Sequence, residues 1–201
     1  MNRKHDGRNT NTQERILAVA ENLYLAGGYE HINLQSIAHA LEISKPALFY
    51  HFKSKRELFF VMLIRMLESL QQALEEAVDQ DQFSTQEKLE RLMEAIQRQP
   101  AFDVTRFAQE EMHLLTPSEQ QEVMQAAELS LFAPVERVFR EGIERGTLRT
   151  HDTRLACLLF LNICVPLSHE RSPLQLQVQT GKRREMLEMF LYGLASAPRP
   201  L

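Results

Sequence analysis

"SKPALFYHFKSKRELF", residues 44–59, sets four rings in a row, Phe49, Tyr50, His51 and Phe52, beside Lys45, Lys53, Lys55 and Arg56. A helix packed in a core needs one apolar stripe with polar residues elsewhere. This run instead places rings all round a short cylinder that already carries cations, so some of them must face something other than the core. Helical spacing sorts them. Leu48 and Phe52, four apart, can share a buried face, which leaves Lys45, Ala47, Tyr50 and His51 outward and Phe49 at the edge. Outward groups of this kind can hydrogen-bond phosphates and touch base edges.

The flanks of the stretch are punctuated as helices. Ser44 can cap the helix it opens, with Pro46 in the first turn where a missing N–H costs nothing, and Asn33 can cap a short preceding helix carrying Ile37, Ala38 and Leu41. The connector "LEIS" is only a few residues long. Upstream, Asn11 with Glu14 reads as a capping box before a run in which Ile16, Ala20 and Leu23 share a face, stopped by Gly27 and Gly28. Downstream, Ser54 and Glu57 open a fourth helix, apolar at Phe60, Leu63, Leu67, Leu70 and Leu74 and ending near Val78. Two short helices joined by a tight turn, with a third packed across them, form a helix-turn-helix whose second short helix can enter a major groove. Lys55 sits in the first turn of the fourth helix, where the dipole disfavours a cation; a phosphate bound there would reconcile the two.

Almost no segment of the remainder alternates with period two, so the chain is expected to be all-α. Ser84 with Glu87 starts a fifth helix, Pro100 breaks the chain, and a sixth is expected over "FDVTRFAQEEMHLL", residues 102–115. Thr116, Pro117 and Glu119 supply cap, N1 proline and capping-box acid for a seventh, which runs through Val135 and Phe139 to Gly146 with a kink at Pro134. An eighth is expected over about 152–170 and a ninth over about 182–197, the latter with Leu187, Phe190, Leu191 and Leu194 on one side. The connector "ERSPLQLQVQTG" between them reads as a mobile loop. The expected organisation is a flexible arm over 1–10, a helix-turn-helix domain over 11–54 and a larger helical domain over 55–201.

With 44% hydrophobic and 25% charged residues in 201, the composition is that of an ordinary globular chain. The longest apolar run, Leu155–Leu167, is too short to span a bilayer, and the polar start lacks a signal peptide, so a cytoplasmic protein with reduced thiols is expected. Cys157 and Cys164, seven apart and without a CxxC pattern, read as buried structural thiols. The net charge of −4 is unevenly placed: residues 1–60 hold eight lysines and arginines against six acids, and the rest 15 against 21. A basic head on an acidic body suits a DNA-reading domain joined to a domain of another kind.

Residues 12–60, with "ILAVAENLYLAGGYEHINLQSIAHALEISKPALFYHFKSKRELF" at their centre, resemble the tetracycline-repressor (TetR) family of transcriptional regulators. Its pattern of helix, Gly-Tyr, short helix, turn and a recognition helix ending aromatic-aromatic-His-Phe before Lys-Ser-Lys is met element by element. The resemblance implies DNA-contacting positions at Asn33, Ser44, Lys45, Pro46, Ala47, Phe49, Tyr50, His51 and Lys55. It further implies a homodimer on a near-palindromic double-stranded operator, joined through the eighth and ninth helices, and a repressor released by a small apolar effector. Two residues depart from the pattern. Glu42 stands where the family usually has a turn glycine, so either a non-glycine residue takes a left-handed conformation or the turn differs slightly, and Phe49 replaces the usual tyrosine, losing a hydroxyl.

Methionine and aromatic residues of the middle helices suit an apolar ligand cavity: Met62, Met66, Met93, Phe102, Phe107 and Phe132, with Arg106, Glu110 and His113 as polar candidates. The competing reading is a helical small-molecule-binding or metal-dependent enzyme with a structural helix-turn-helix. Glu110 and His113 do form the Glu-x-x-His pair of di-iron bundles, but such a site needs a second copy and none exists. There is no H-E-x-x-H, phosphate-binding glycine loop or nucleophile signature, so neither an enzyme nor a metal or other cofactor is expected.

Overall fold

The computed structural model describes residues 6–80, 82–100, 102, 106–168 and 180–193. Its regular elements are all helical: α1 (Asp6–Gly27), a 3₁₀ turn (Tyr29–His31), α2 (Leu34–Ala40), α3 (Lys45–His51), α4 (Lys55–Val78), α5 (Thr85–Arg98), α6 (Pro117–Ala127), α7 (Ala133–Glu144), α8 (Thr153–Ser168) and α9 (Thr180–Tyr192). Two π-helical turns, Phe107–Glu111 and Glu128–Phe132, flank α6 on either side, the first followed by a 3₁₀ turn over Met112–Leu114. The packing divides the chain into two units. One takes residues up to Met66 together with Phe102–Met124, the other Leu67–Ala101 and Gln125 onward. Where the sequence suggests a boundary at residue 54, the opening turns of α4 and the segment after Phe102 pack with the head.

In the first unit, α1 begins at Asp6, inside the stretch expected to be an arm. Residues 6–10 carry no apolar repeat, so hydrophobic periodicity could not find this extra turn. The buried stripe of α1 is Ile16, Leu17, Ala20 and Tyr24, with Leu23 only half-buried. The Asn33 side chain accepts the N–H groups of Gln35 and Ser36 at 2.9 and 3.1 Å, which starts α2 as expected. The helix ends in a Schellman motif: Glu42 N–H reaches the His39 carbonyl and Ile43 N–H the Ala38 carbonyl. The left-handed position of that motif falls on Glu42, at φ 55°, the first of the two arrangements open to the turn. Ser44 then caps α3 by accepting the Ala47 N–H. At the start of α4, Glu57 N–H bonds the Ser54 hydroxyl while the Glu57 carboxylate takes the N–H of Lys53 at 2.8 Å, one residue before the position a capping box would use. The buried face of α4 here carries Leu58, Phe59, Met62 and Leu63, so it is centred on Phe59, whereas the expected Phe60 is half-buried.

The expected sixth helix is not a regular α-helix where it is described, because π and 3₁₀ turns follow one another between Phe107 and Leu114. Widening then tightening the spiral breaks the i, i+3 face that regular helical spacing gives Glu110 and His113. Beyond it Thr116, Pro117 and Glu119 start α6 as expected, the carboxylate accepting the Thr116 N–H at 2.7 Å.

In the second unit the Ser84–Glu87 capping box opens α5, whose buried face meets Val135, Val138 and Phe139 of α7 and Phe160 of α8 in one hydrophobic cluster. The kink expected at Pro134 takes the form of the π turn over Glu128–Phe132: proline has no N–H to give the carbonyl four residues back, and the spiral widens just before it. Arg154 of α8 holds that turn through both oxygens of Glu128, at 2.6 and 2.7 Å, and lies 4.2 Å over the Phe132 ring. Lys88 is buried and reaches Glu141 at 2.7 Å. Cys157 and Cys164 are free and buried as expected, and burial pushes the Cys157 thiol up to about 12 and raises that of Cys164 as well.

Leu187 is buried, and Phe190 and Leu191 pack half-buried on the same cluster, with the Phe190 ring 6.0 Å from Phe139. Leu194 and most of the 170–181 connector lie outside the described residues. Among the described residues of this unit the large apolar side chains left exposed are Leu129 in the π turn, Leu155, Leu158 and Leu159 on α8, and Met189 and Tyr192 on α9. No helix among the described residues is long and apolar enough to cross a membrane.

Glu42 tests how much a left-handed non-glycine residue costs here. Relief of about 1–2 kcal/mol of steric strain outweighs the roughly 0.5–1 kcal/mol of backbone entropy that glycine loses on folding. Glu42→Gly is therefore expected to stabilise the chain by about 0.5 kcal/mol, read as an upward shift of the urea midpoint at unchanged slope.

Candidate nucleic-acid interface

Helix α3 is fixed from beneath and open above. Leu48 and Phe52 are fully buried, whereas Tyr50 is 76% exposed and Phe49 37% exposed, in agreement with the helical sorting of the rings. Lys45 and Pro46 are exposed beside them, and Ala47 and His51 are half-buried. The Lys45 ammonium lies 5.8 Å over the Phe49 ring, and the Tyr50 and His51 rings meet edge to face at 5.5 Å. This helix thus offers one short row of cation, ring and hydroxyl to solvent while its other side cannot move without opening the core. Asn33 and Ser44 belong to the same surface, but their oxygens already serve as helix caps. They place α2 and α3 first, and only remaining donor capacity faces outward.

Lys55 is held at the start of α4. Its ammonium lies 4.2 Å over the Tyr29 ring and 3.8 Å from the Glu30 carboxylate. Glu30 is 88% exposed on its side chain, so that ion pair is worth little, and the ring is the stronger determinant of where the lysine rests. An ammonium over a ring keeps donors available for a phosphate oxygen.

The residues read as ligand-lining are divided. Phe102, Arg106 and Phe107 come together in the first unit: the Phe102 ring is 5.8 Å from Tyr24 and 5.6 Å from Phe107, Phe107 is 6.4 Å from Phe59, and the Arg106 guanidinium lies 5.4 Å from the Tyr24 ring. Met62 is buried and Met66 half-buried in that unit, while Glu110 and His113 are exposed. Met93 belongs to the hydrophobic cluster of the second unit, where Phe132 packs half-buried against it.

Residues 16–62 match the family model described as bacterial regulatory proteins, tetR family. Along most of its length the chain is similar to the HTH-type transcriptional regulator YhgD of Bacillus subtilis (strain 168), at 24% identity over 188 residues, covering 90% of this chain and 95% of that one. Among solved structures it is similar to the TetR family transcriptional regulator PfmR of Thermus thermophilus, at 27% identity and TM-score 0.69, covering 88% and 97% of the two chains. It also shares its fold with AibR, solved in complex with isovaleryl coenzyme A and operator DNA, at 20% identity and TM-score 0.64, covering 89% and 97%.

Sequence spacing assigns no role to Glu111 or Tyr24, yet the two are buried and bonded to one another. Glu111 is buried, and its carboxylate accepts the Tyr24 hydroxyl at 2.8 Å and the Tyr29 N–H at 2.9 Å, with Arg106 Nε at 3.3 Å. Burial first, then the hydrogen bond to Glu111, raises the Tyr24 hydroxyl well above the ordinary tyrosine range, so it remains a donor. The signal lay in α1. Tyr24 continues the Ile16, Ala20 stripe by four, and a tyrosine fully inside a core needs a partner for its hydroxyl.

Gly28 lets this happen. Its φ of 82° and ψ of −169° belong to a region essentially reserved for glycine, and a Cβ added there would lie 2.6 Å from Glu111 Oε1. Gly28→Ala is expected to cost about 1–3 kcal/mol from the backbone alone, plus whatever Glu111 loses in moving aside. Urea unfolding of the variant measures it; a change below a few tenths would contradict both the strain and the close approach.

Proposed function

We propose that this chain, a member of the tetR family of bacterial regulatory proteins, is a cytoplasmic repressor that leaves its operator when a small apolar effector binds. It is a sequence-specific DNA-binding transcriptional regulator. The observation that carries this reading is α3: a seven-residue helix buried at Leu48 and Phe52 and left open at Lys45, Phe49 and Tyr50. Inserted in a major groove, such a helix meets base edges with its first residues and the Tyr50 ring, while Lys55, at the start of the next helix, meets the phosphate backbone.

Regulators of this family act as dimers, and one reading head per chain then gives two half-sites related by the dimer axis, hence a near-palindromic operator. We place the dimer contact on Leu155, Leu158 and Leu159 of α8 with Met189 and Tyr192 of α9. They form an exposed apolar surface at helical spacing, of the kind a lone soluble chain avoids. The effector reading narrows to Met62, Met66, Phe102, Arg106 and Phe107, which lie in the unit that holds the reading head. That a protein of the same fold, AibR, takes a small molecule as well as operator DNA supports a ligand in addition to DNA. A tenfold loss of operator affinity requires about 1.4 kcal/mol of differential effector binding between the two states.

Selecting duplexes from a random pool with the purified protein tests the central claim: an enriched near-palindrome is expected, and a pool that stays random at low salt would sink it. On the selected duplex, Lys55→Ala is expected to weaken specific and random DNA alike and to lower the salt slope by about one unit. Tyr50→Ala is expected to cost roughly 1–3 kcal/mol on the selected duplex and much less on random DNA. Equal loss on both duplexes for Tyr50→Ala would remove it from base reading. A charge at Leu159, as Leu159→Glu, is expected to give a monomer in sedimentation and to weaken operator binding with it; a stable dimer would move the interface elsewhere.

A further inference from the structure

The Lys55 ammonium rests on the face of Tyr29, and the position of that ring is in turn set by two contacts of its own residue and by the backbone just before it. Its N–H is bound by Glu111 Oε1 at 2.9 Å, its ring meets Phe59 edge-on at 5.0 Å, and Gly28 just before it is in a conformation other residues do not adopt. Glu111 is itself fixed by Tyr24 and Arg106, on the same π turn as Phe107. One hydrogen bond and one ring therefore separate a buried carboxylate, 82 residues along the chain from Tyr29, from the cation offered to DNA.

We propose that Glu111 is a positioning residue for operator binding: by holding the Tyr29 turn it fixes where Lys55 presents its charge. This rests on the reading that Lys55 meets a phosphate, and it deepens the effector reading, because Phe107 lies on the turn that carries Glu111 and Arg106 directly precedes it. Movement of that turn releases the Tyr29 N–H, the ring follows its backbone, and Lys55 loses the surface that holds it in register with the phosphate. The head itself, anchored by Leu48 and Phe52, stays folded.

The test is DNA affinity of the full-length protein on the selected duplex across a salt series. Glu111→Ala is expected to lower the salt slope by about one unit, as Lys55→Ala does, and the double variant to show the slope of Lys55→Ala alone. Glu111→Gln, which can still accept the Tyr29 N–H and donate to the Tyr24 oxygen, is expected to keep the slope of the unaltered protein. Tyr29→Leu, which keeps apolar bulk but not the ring face, is expected to behave as Glu111→Ala and decides the matter if Glu111→Ala does not fold. Unchanged slopes for Glu111→Ala and Tyr29→Leu, with a reduced slope for Lys55→Ala, would overturn the positioning role and leave the phosphate contact standing. A further drop of the slope when Glu111→Ala is added to Lys55→Ala would overturn it too. An unchanged slope for Lys55→Ala itself would remove the phosphate contact, and the positioning role with it.

Discussion

A carboxylate taken out of water must find donors within its own fold, and Glu111 finds a hydroxyl from α1, a backbone N–H from the turn after α1, and the guanidinium of Arg106. Each donor constrains an element that carries it. Tyr24 must lie on the inward side of α1, which sets the rotation of that helix. The chain must reverse at Gly28 tightly enough to aim the Tyr29 N–H inward, and that reversal delivers it to Asn33 and α2. The segment after Phe102 must come back against the head. The ring group of Tyr24, Phe59, Phe102 and Phe107 fills the remaining space, with centroids 5.4–6.4 Å apart across its contacts. Removing the carboxylate would leave one buried hydroxyl and one part-buried N–H without this acceptor, a larger loss than any surface ion pair in the head supplies.

The reading helix is organised on the opposite principle. Its seven residues are too few to be stable alone, so its orientation comes from Leu48 and Phe52 below and from the Schellman turn at Glu42 before it. Rigidity supplied from beneath leaves the outward side chains unconstrained by packing. They can therefore differ from those of other proteins with the same scaffold without unfolding the head, and Phe49 in a position usually held by tyrosine is one such difference.

The features legible in the sequence were those fixed by neighbours along the chain. The caps at Asn33, Ser44, Ser84 and Thr116 each need only a side chain and an N–H two or three residues on, and all four form, whereas the box expected of Asn11 and Glu14 does not cap α1, because the helix already runs through both from Asp6. The left-handed Glu42 was legible only through the family resemblance, which places a glycine in that turn, whereas the exposure of Tyr50 follows from spacing within one short helix. The features that escaped depend on distant residues or on a change of helical pitch. Glu110 and Glu111 are chemically identical in sequence, and only the fold decides that the second is buried and the first exposed. A π turn uses the same residue types as an α-helix, so the face predicted for the sixth helix dissolved where the pitch changed. Helical periodicity also centred α4 on Phe60, one residue from the buried Phe59, because a broad apolar face fits either phase.

The chain has two cysteines, and both sulfur atoms are sealed inside the second unit with their thiols shifted toward the protonated form. Peroxides and electrophiles react with exposed thiolates, and at neutral pH this protein offers them almost none. Oxidative stress thus has no thiol handle by which to switch this regulator. For the proposed release from the operator, that chemistry favours an effector held by non-covalent contacts over an oxidant.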